Sequence, residues 1–185
     1  ITEPAIRAGR AAAPAPIQLV TDVNCNWSAE QAQALMPIMR ELGLYWVEEP
    51  VFPPDDERQL AQLQKQFGVS IASGENACTH VEFARTAPHI DVIQPSVTKV
   101  GGISEFLQVC DIAAQANKTI MPHAPYFGPG YWATAHLMAV RPECGLFEHL
   151  YIEASDYLDP SIPLPKNGLV KVPDRAGLGF EPDLA

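Results

Sequence analysis

Six polar residues close short apolar runs along this chain: Asp22, Glu48, Glu75, Ser96, His123 and Glu148, at steps of 21 to 27 residues. The first three are acids. Brought together, three carboxylates repel one another and resist leaving water as a group. A divalent cation resolves both difficulties. Oxygen-only ligands suit Mg²⁺, with Mn²⁺ as an alternative, and water or substrate oxygens complete the octahedron. One strand-end acid often does no more than cap the next helix; it is the coincidence of three that points to a metal. His123 adds a group whose ordinary pKa near ~6.5 lets it take or give a proton around neutrality. His80, His89, His136 and His149 have no comparable placement.

A step of this size holds one strand, one helix and two short loops. The spacing predicts strands at Ile17–Val20, Leu44–Val47, Val69–Ala72, Asp91–Gln94, Thr119–Met121 and Leu146–Phe147. Helices are expected between them: one after Ser28 as N-cap, with Pro37 as a possible kink or break, then Asp55–Phe67, Thr79–Arg85, Ser104–Ala116 and Trp132–Val140. Short apolar strands alternating with helices imply an α/β fold with a parallel sheet buried on both faces. No Gly-x-Gly-x-x-Gly follows the first strand, so a barrel is preferred to a dinucleotide-binding sheet. In a parallel barrel all C-terminal strand ends open on one face, where Asp22, Glu48 and Glu75 would converge. From Tyr157 onward the chain is rich in Pro and Gly and reads as an irregular arm, with one strand at Leu169–Val172.

The balance of 12 basic and 22 acidic residues gives a net charge of −10, which disfavours nucleic acid and anionic membranes as partners. No apolar run approaches the roughly 18 residues of a membrane span. Cys25, Cys78, Cys110 and Cys144 form no CxxC pair, and no leader opens the chain. Free thiols in a reducing cytoplasm are expected.

Thr-Asp22-Val-Asn24, Trp46-Val-Glu48-Glu-Pro50 and Gly74-Glu75-Asn76 resemble the three metal-ligand motifs of the enolase superfamily. Lys99-Val-Gly-Gly102 and Pro122-His123 resemble its mandelate racemase-like subgroup, and Ala176-Gly-Leu-Gly179 is similar to that group's tail. The resemblance implies a modified (β/α) barrel in which Asp22, Glu48 and Glu75 hold Mg²⁺. The metal would bind a small carboxylate substrate and stabilise the enolate left by removal of the α-proton. His123 becomes the acid/base of the seventh barrel strand, and Glu148 the eighth-strand acid that hydrogen-bonds the enolate oxygen. Asn24 and Asn76 would be donors to the ligand carboxylates. Lys99 either pairs with one of them or is a solvated helix-entry lysine. Apart from the resemblance, Tyr126-Phe-Gly-Pro-Gly130 after the His strand either lines the pocket or is a plain turn, and Trp27, two residues past Cys25, is a further candidate to face it.

Two departures accompany the match. Ser96 stands where the subgroup has the Asp that partners its histidine, so the usual His–Asp dyad is broken. The second-strand Lys-x-Lys and the N-terminal capping domain are absent from the sequence. The expected organisation is therefore a partial barrel over residues 1–156, its third to eighth strands, with a C-terminal arm at 157–185. The missing N-terminal part would be needed to complete the fold, and the piece alone would be inactive. The leading expectation is a Mg²⁺-dependent lyase that dehydrates an acid sugar or hydroxy acid, in a homo-oligomer. Its rivals are a racemase, epimerase or cycloisomerase using the same enolate, and a non-catalytic metal- or carboxylate-binding relative, which Ser96 would favour.

Overall fold

A computed structural model describes residues 2–151 and 162–182. Helix α1 (Glu3–Ala12) leads into five repeats of strand and helix: β1 (Thr21–Asp22), α2 (Ala29–Glu41), β2 (Val47–Glu48), α3 (Glu57–Phe67), β3 (Ile71–Ser73), α4 (His80–Thr86), β4 (Val92–Ile93), α5 (Ile103–Ala116), β5 (Thr119–Ile120) and α6 (Pro129–Val140). Among the described residues all strand pairs are parallel, and the order in the sheet is β1-β2-β3-β4-β5. A doubly wound sheet reverses its order at a switch point; a barrel wall does not. The strictly sequential order is that of a barrel wall.

Side chains alternate across the wall. Val47, Ile71, Ile93 and Ile120 turn outward into the helix layer, whereas Trp46, Ala72, Val92 and Met121 form a separate inner cluster. The helices begin and end on local signals. Ser28 and Gln31 form a reciprocal capping box on α2. Asp56 and Thr79 cap α3 and α4. Gly68 and Asn117 stop α3 and α5 in left-handed conformations, at φ 64° and 53°. Pro37 does not break α2: it lies on the exposed face, while Ala32, Met36 and Met39 of the same helix face the core. Water can take up the carbonyl that the proline leaves unpaired.

Several sequence expectations are corrected at element edges. The first strand pairs at Thr21–Asp22 rather than over 17–20. Leu146–Phe147 is not a strand; the sixth run touches the sheet through one parallel bridge, Ile120 to Cys144. Gly145 makes this approach possible, since a Cβ there would lie 2.5 Å from Met121 Cε. In the arm, an antiparallel bridge joins Lys166 to Leu169, and no strand follows over 169–172. Residues 162–182 instead pack Ile162, Val170, Val172, Leu178 and Phe180 around Tyr131, Trp132 and Ala135 of α6. Part of the expected arm, at 157–161 and 183–185, lies outside the described residues. The four cysteines are free.

Candidate metal and acid/base site

The parallel register fixes which side chains meet. Asp22 is paired with Glu48 across β1 and β2, so two acids stand side by side on the inner face. Glu75 follows β3 by way of Gly74, whose φ of 127° is open to glycine and costly for other residues. A Cβ on Gly74 would lie 2.6 Å from Phe83 Cε1, so the turn also needs the missing side chain for space. His123 follows β5, and Glu148 follows the bridged segment at Cys144.

Ligand atoms of Glu48, Glu75 and His123 all lie within 4.8 Å of one another. His123 Nδ1 is 2.8 Å from Glu75 Oε2 and 3.6 Å from Glu148 Oε2. Lys99 Nζ is 3.5 Å from Glu75 Oε1, so of its two expected settings the lysine takes the paired one. The backbone N–H of Ala124 donates to Glu148 Oε2 at 2.6 Å, which seats Glu148 beside the histidine. Asp22 stands outside the set of three. Its Oδ1 accepts the backbone N–H of Asn24 at 2.9 Å, and its Oδ2 accepts the Asn24 side-chain amide. It nevertheless lines the same cavity of about 300 Å³ as Glu48, Gln94 and Glu148.

Electrostatics separate the two central acids. Burial pushes the Glu48 carboxyl up to about 7; the charges of Asp22 and Glu148 push the same way, against hydrogen bonds from Gln94 and Trp46. Glu75 is held below its ordinary value, first by the His123 hydrogen bond and then by the charges of His123 and Lys99, against burial. Burial works to lower His123, but the Glu75 hydrogen bond and charge, with Glu148, outweigh it and the net shift is upward. His123 and Glu75 thus favour each other's charged forms, whereas burial of Glu48 outweighs the Gln94 and Trp46 hydrogen bonds that favour its charge. That is the setting a hard cation would relieve. The donors offered by Asp22, Glu48 and Glu75 are all carboxylate oxygens, the set Mg²⁺ prefers, so these residues fit the metal.

The expected supporting residues are distributed differently. Asn24 does donate to a candidate ligand, Asp22. Asn76 does not: it donates both ways to Glu49, at 3.2 and 2.9 Å. Ser96 is fully buried, and its hydroxyl is bonded to the Tyr126 phenol and to Thr98. The Tyr126 ring stands edge-on to His123, with centroids 6.2 Å apart. Trp27 is corrected: it is buried in the outer core among Ala32, Met36 and Val51 rather than facing the cavity. Sequence reasoning missed Gln94 and Glu49. Gln94 is 4% exposed, and its side-chain oxygen has no hydrogen-bond partner. Its signal was an amide directly after the apolar pair Val92-Ile93, two residues before Ser96.

Residues 3–185 match the family model described as "Enolase C-terminal domain-like". The chain belongs to this family. It is 32% identical over 168 residues to L-talarate/galactarate dehydratase of Salmonella typhimurium, covering 88% of this chain and 39% of that protein. It is 28% identical over 163 residues to 3,6-anhydro-alpha-L-galactonate cycloisomerase of Streptomyces coelicolor, covering 87% of this chain and 43% of that one. Among solved structures, L-talarate dehydratase from Polaromonas sp. JS666, complexed with Mg and L-glucarate, superposes with a TM-score of 0.82. That match has 28% identity and covers 96% of this chain and 48% of the other. The chain thus spans less than half the length of the relatives it matches.

Proposed function

We propose that the full-length protein is a Mg²⁺-dependent acid-sugar or hydroxy-acid dehydratase of the enolase superfamily. The observation that carries the reading is the meeting of Glu48, Glu75 and His123 at one end of a parallel barrel wall. Dehydratases acting on acid sugars among the relatives support it.

Asp22, Glu48 and Glu75 would hold the cation. When bound, Mg²⁺ supplies Lewis-acid stabilisation of the negative charge that develops on the substrate carboxylate. The chain's own groups handle protons. His123 faces Glu75 Oε2 through Nδ1, and the hydrogen bond and charge of that carboxylate shift the ring toward its charged form. A charged imidazole can hand a proton to a departing hydroxyl. Glu148 is seated by the Ala124 N–H beside that ring and would meet the substrate oxygen that gains charge. The hydroxyls of Ser96, Thr98 and Tyr126 give His123 no carboxylate; Glu75 and Glu148 supply the negative charge instead.

Incubating the full-length protein with Mg²⁺ and a panel of acid sugars in D₂O tests the reading. The expected result is release of water with formation of a 2-keto product. The cycloisomerase relative motivates a second reading, in which the same α-proton chemistry ends in isomerisation. Solvent deuterium in recovered acid or its epimer, without a keto product, favours that alternative. Metal and carboxylate binding with no exchange on any acid overturns both.

A further inference from the structure

Glu49 follows the candidate ligand Glu48 directly, yet it points the other way and takes no part in the set of three. It is 2% exposed and carries a φ of 36°, a conformation uncommon for a residue with a side chain. Such a backbone persists where surrounding contacts over-determine it. Here they do. The Glu49 N–H donates to Ala72 O at 3.0 Å, and its carbonyl accepts the Cys25 N–H at 2.7 Å. Its carboxylate accepts the Cys25 thiol at 3.1 Å and the Asn76 amide at 3.2 and 2.9 Å.

These partners come from the two flanking loops. Cys25 lies three residues after Asp22, at φ 58°, and Asn76 is the residue after Glu75. One buried side chain therefore laces the β1, β2 and β3 loops, each of which carries one candidate ligand. We propose that Glu49 is a positioning residue, and that through Cys25 and Asn76 it sets the spacing of Asp22, Glu48 and Glu75 for the cation. The inference rests on the metal reading above and extends it from the ligands to the residue that spaces them.

The type of residue matters. A carboxylate offers acceptors only, and both partners here are donors. A glutamine keeps the volume but turns an NH₂ toward the Asn76 amide or the Cys25 thiol. The backbone bonds of residue 49 survive that change, so the fold is expected to survive as well.

The test is Mn²⁺ titration of the full-length protein, followed by electron paramagnetic resonance, with Tm measured alongside. Glu49→Gln is expected to weaken Mn²⁺ binding by about 10- to 100-fold, the range seen when groups supporting metal ligands are altered. Cys25→Ser, which retains a donor, should bind like the wild type, while Cys25→Ala and Asn76→Ala should weaken binding at nearly unchanged Tm. Should Glu49→Gln fail to fold, these last three variants decide the matter. Wild-type affinity in Glu49→Gln, or in both Cys25→Ala and Asn76→Ala, overturns the proposal while leaving the metal site standing. A wild-type protein that binds no Mn²⁺ overturns the metal reading, and this inference with it.

Discussion

His123 Nδ1 lies 2.8 Å from Glu75 Oε2, so the histidine is paired with the acid at the end of β3 rather than with a residue of the strand beside it. The place beside it holds Ser96, which bonds Tyr126 and Thr98. The pair defines a pH window for the metal-free protein. Glu75 is depressed below 4.5, so its contribution to stability is present above that value and lost as pH falls through its folded pKa. His123 is raised above 6.5, so its contribution is full below that value and lost as pH rises through its folded pKa. The destabilisation caused by Glu75→Gln, measured by urea unfolding without metal, should therefore be largest between pH 4.5 and 6.5.

The Glu48 carboxyl, pushed up to about 7 by burial, must lose its proton before it can serve a cation. Mg²⁺ affinity measured by calorimetry should fall as pH is lowered below about 7, approaching tenfold per unit from this group alone. Proton release should accompany binding in that range. An affinity independent of pH between 5 and 7 contradicts the assignment of Glu48 as a ligand.

The role proposed for His123 predicts that His123→Asn lowers turnover of the substrate found in the panel by about 10²- to 10⁴-fold. The amide keeps a hydrogen-bonding group near Glu75 but cannot transfer the proton. Steady-state assays at saturating Mg²⁺ would show this as a loss of kcat; retention of full activity removes His123 from the mechanism.

Gly74→Ala should destabilise the protein by at least about 2 kcal/mol, since the new Cβ meets both a strained φ and a crowded space. The steric partner is the Phe83 ring, 2.6 Å from the added atom. Thermal unfolding of Gly74→Ala beside Gly74→Ala/Phe83→Leu separates the causes. The double variant should recover the steric share and leave the backbone share.

Cys25 is a poor nucleophile in this fold. Burial first, and then the hydrogen bond to Glu49, push its thiol up to about 12. The thiolate is the species that attacks, so iodoacetamide at pH 8 should label exposed Cys78 well before Cys25. Peptide mapping over time reads the order directly.

The alternation of short apolar runs with helical periods made the parallel wall legible, and Asp22, Glu48 and Glu75 were visible as its strand-end acids. His123 stood out for the same reason. What the pattern could not supply was the direction of a side chain after the strand has ended. Asn76 lies one residue past Glu75 and Asn24 two past Asp22, yet one serves Glu49 and the other the acid itself. Glu49 was hidden by its neighbour: in a pair of adjacent glutamates, spacing nominates one for the cavity and leaves no sign that the other is buried. The run at Leu146–Phe147 has strand composition, but it bridges the sheet only at Cys144, and the Leu146 N–H goes to the Met121 sulfur instead of a ladder carbonyl, because pairing depends on a partner edge and not on composition alone.

The outer packing falls into two bodies. One gathers Val23, Met36, Val47, Leu60 and Ile71 behind β1 to β3, and the other gathers Ile93, Phe106, Val109, Ile120 and Leu137 behind β4 and β5. Asp22 and Glu48 ride on the first and His123 and Glu148 on the second, with Glu75 on the turn packed against Phe83 of the second, and the two are joined inside by Trp46, Ala72, Val92 and Met121. Amide exchange should thus divide the wall into two cooperative blocks that open at different free energies. Opening the second would withdraw His123 and Glu148 and loosen Glu75 while leaving Asp22 and Glu48 in register, so residual cation binding should outlast the capacity for turnover as the protein is warmed.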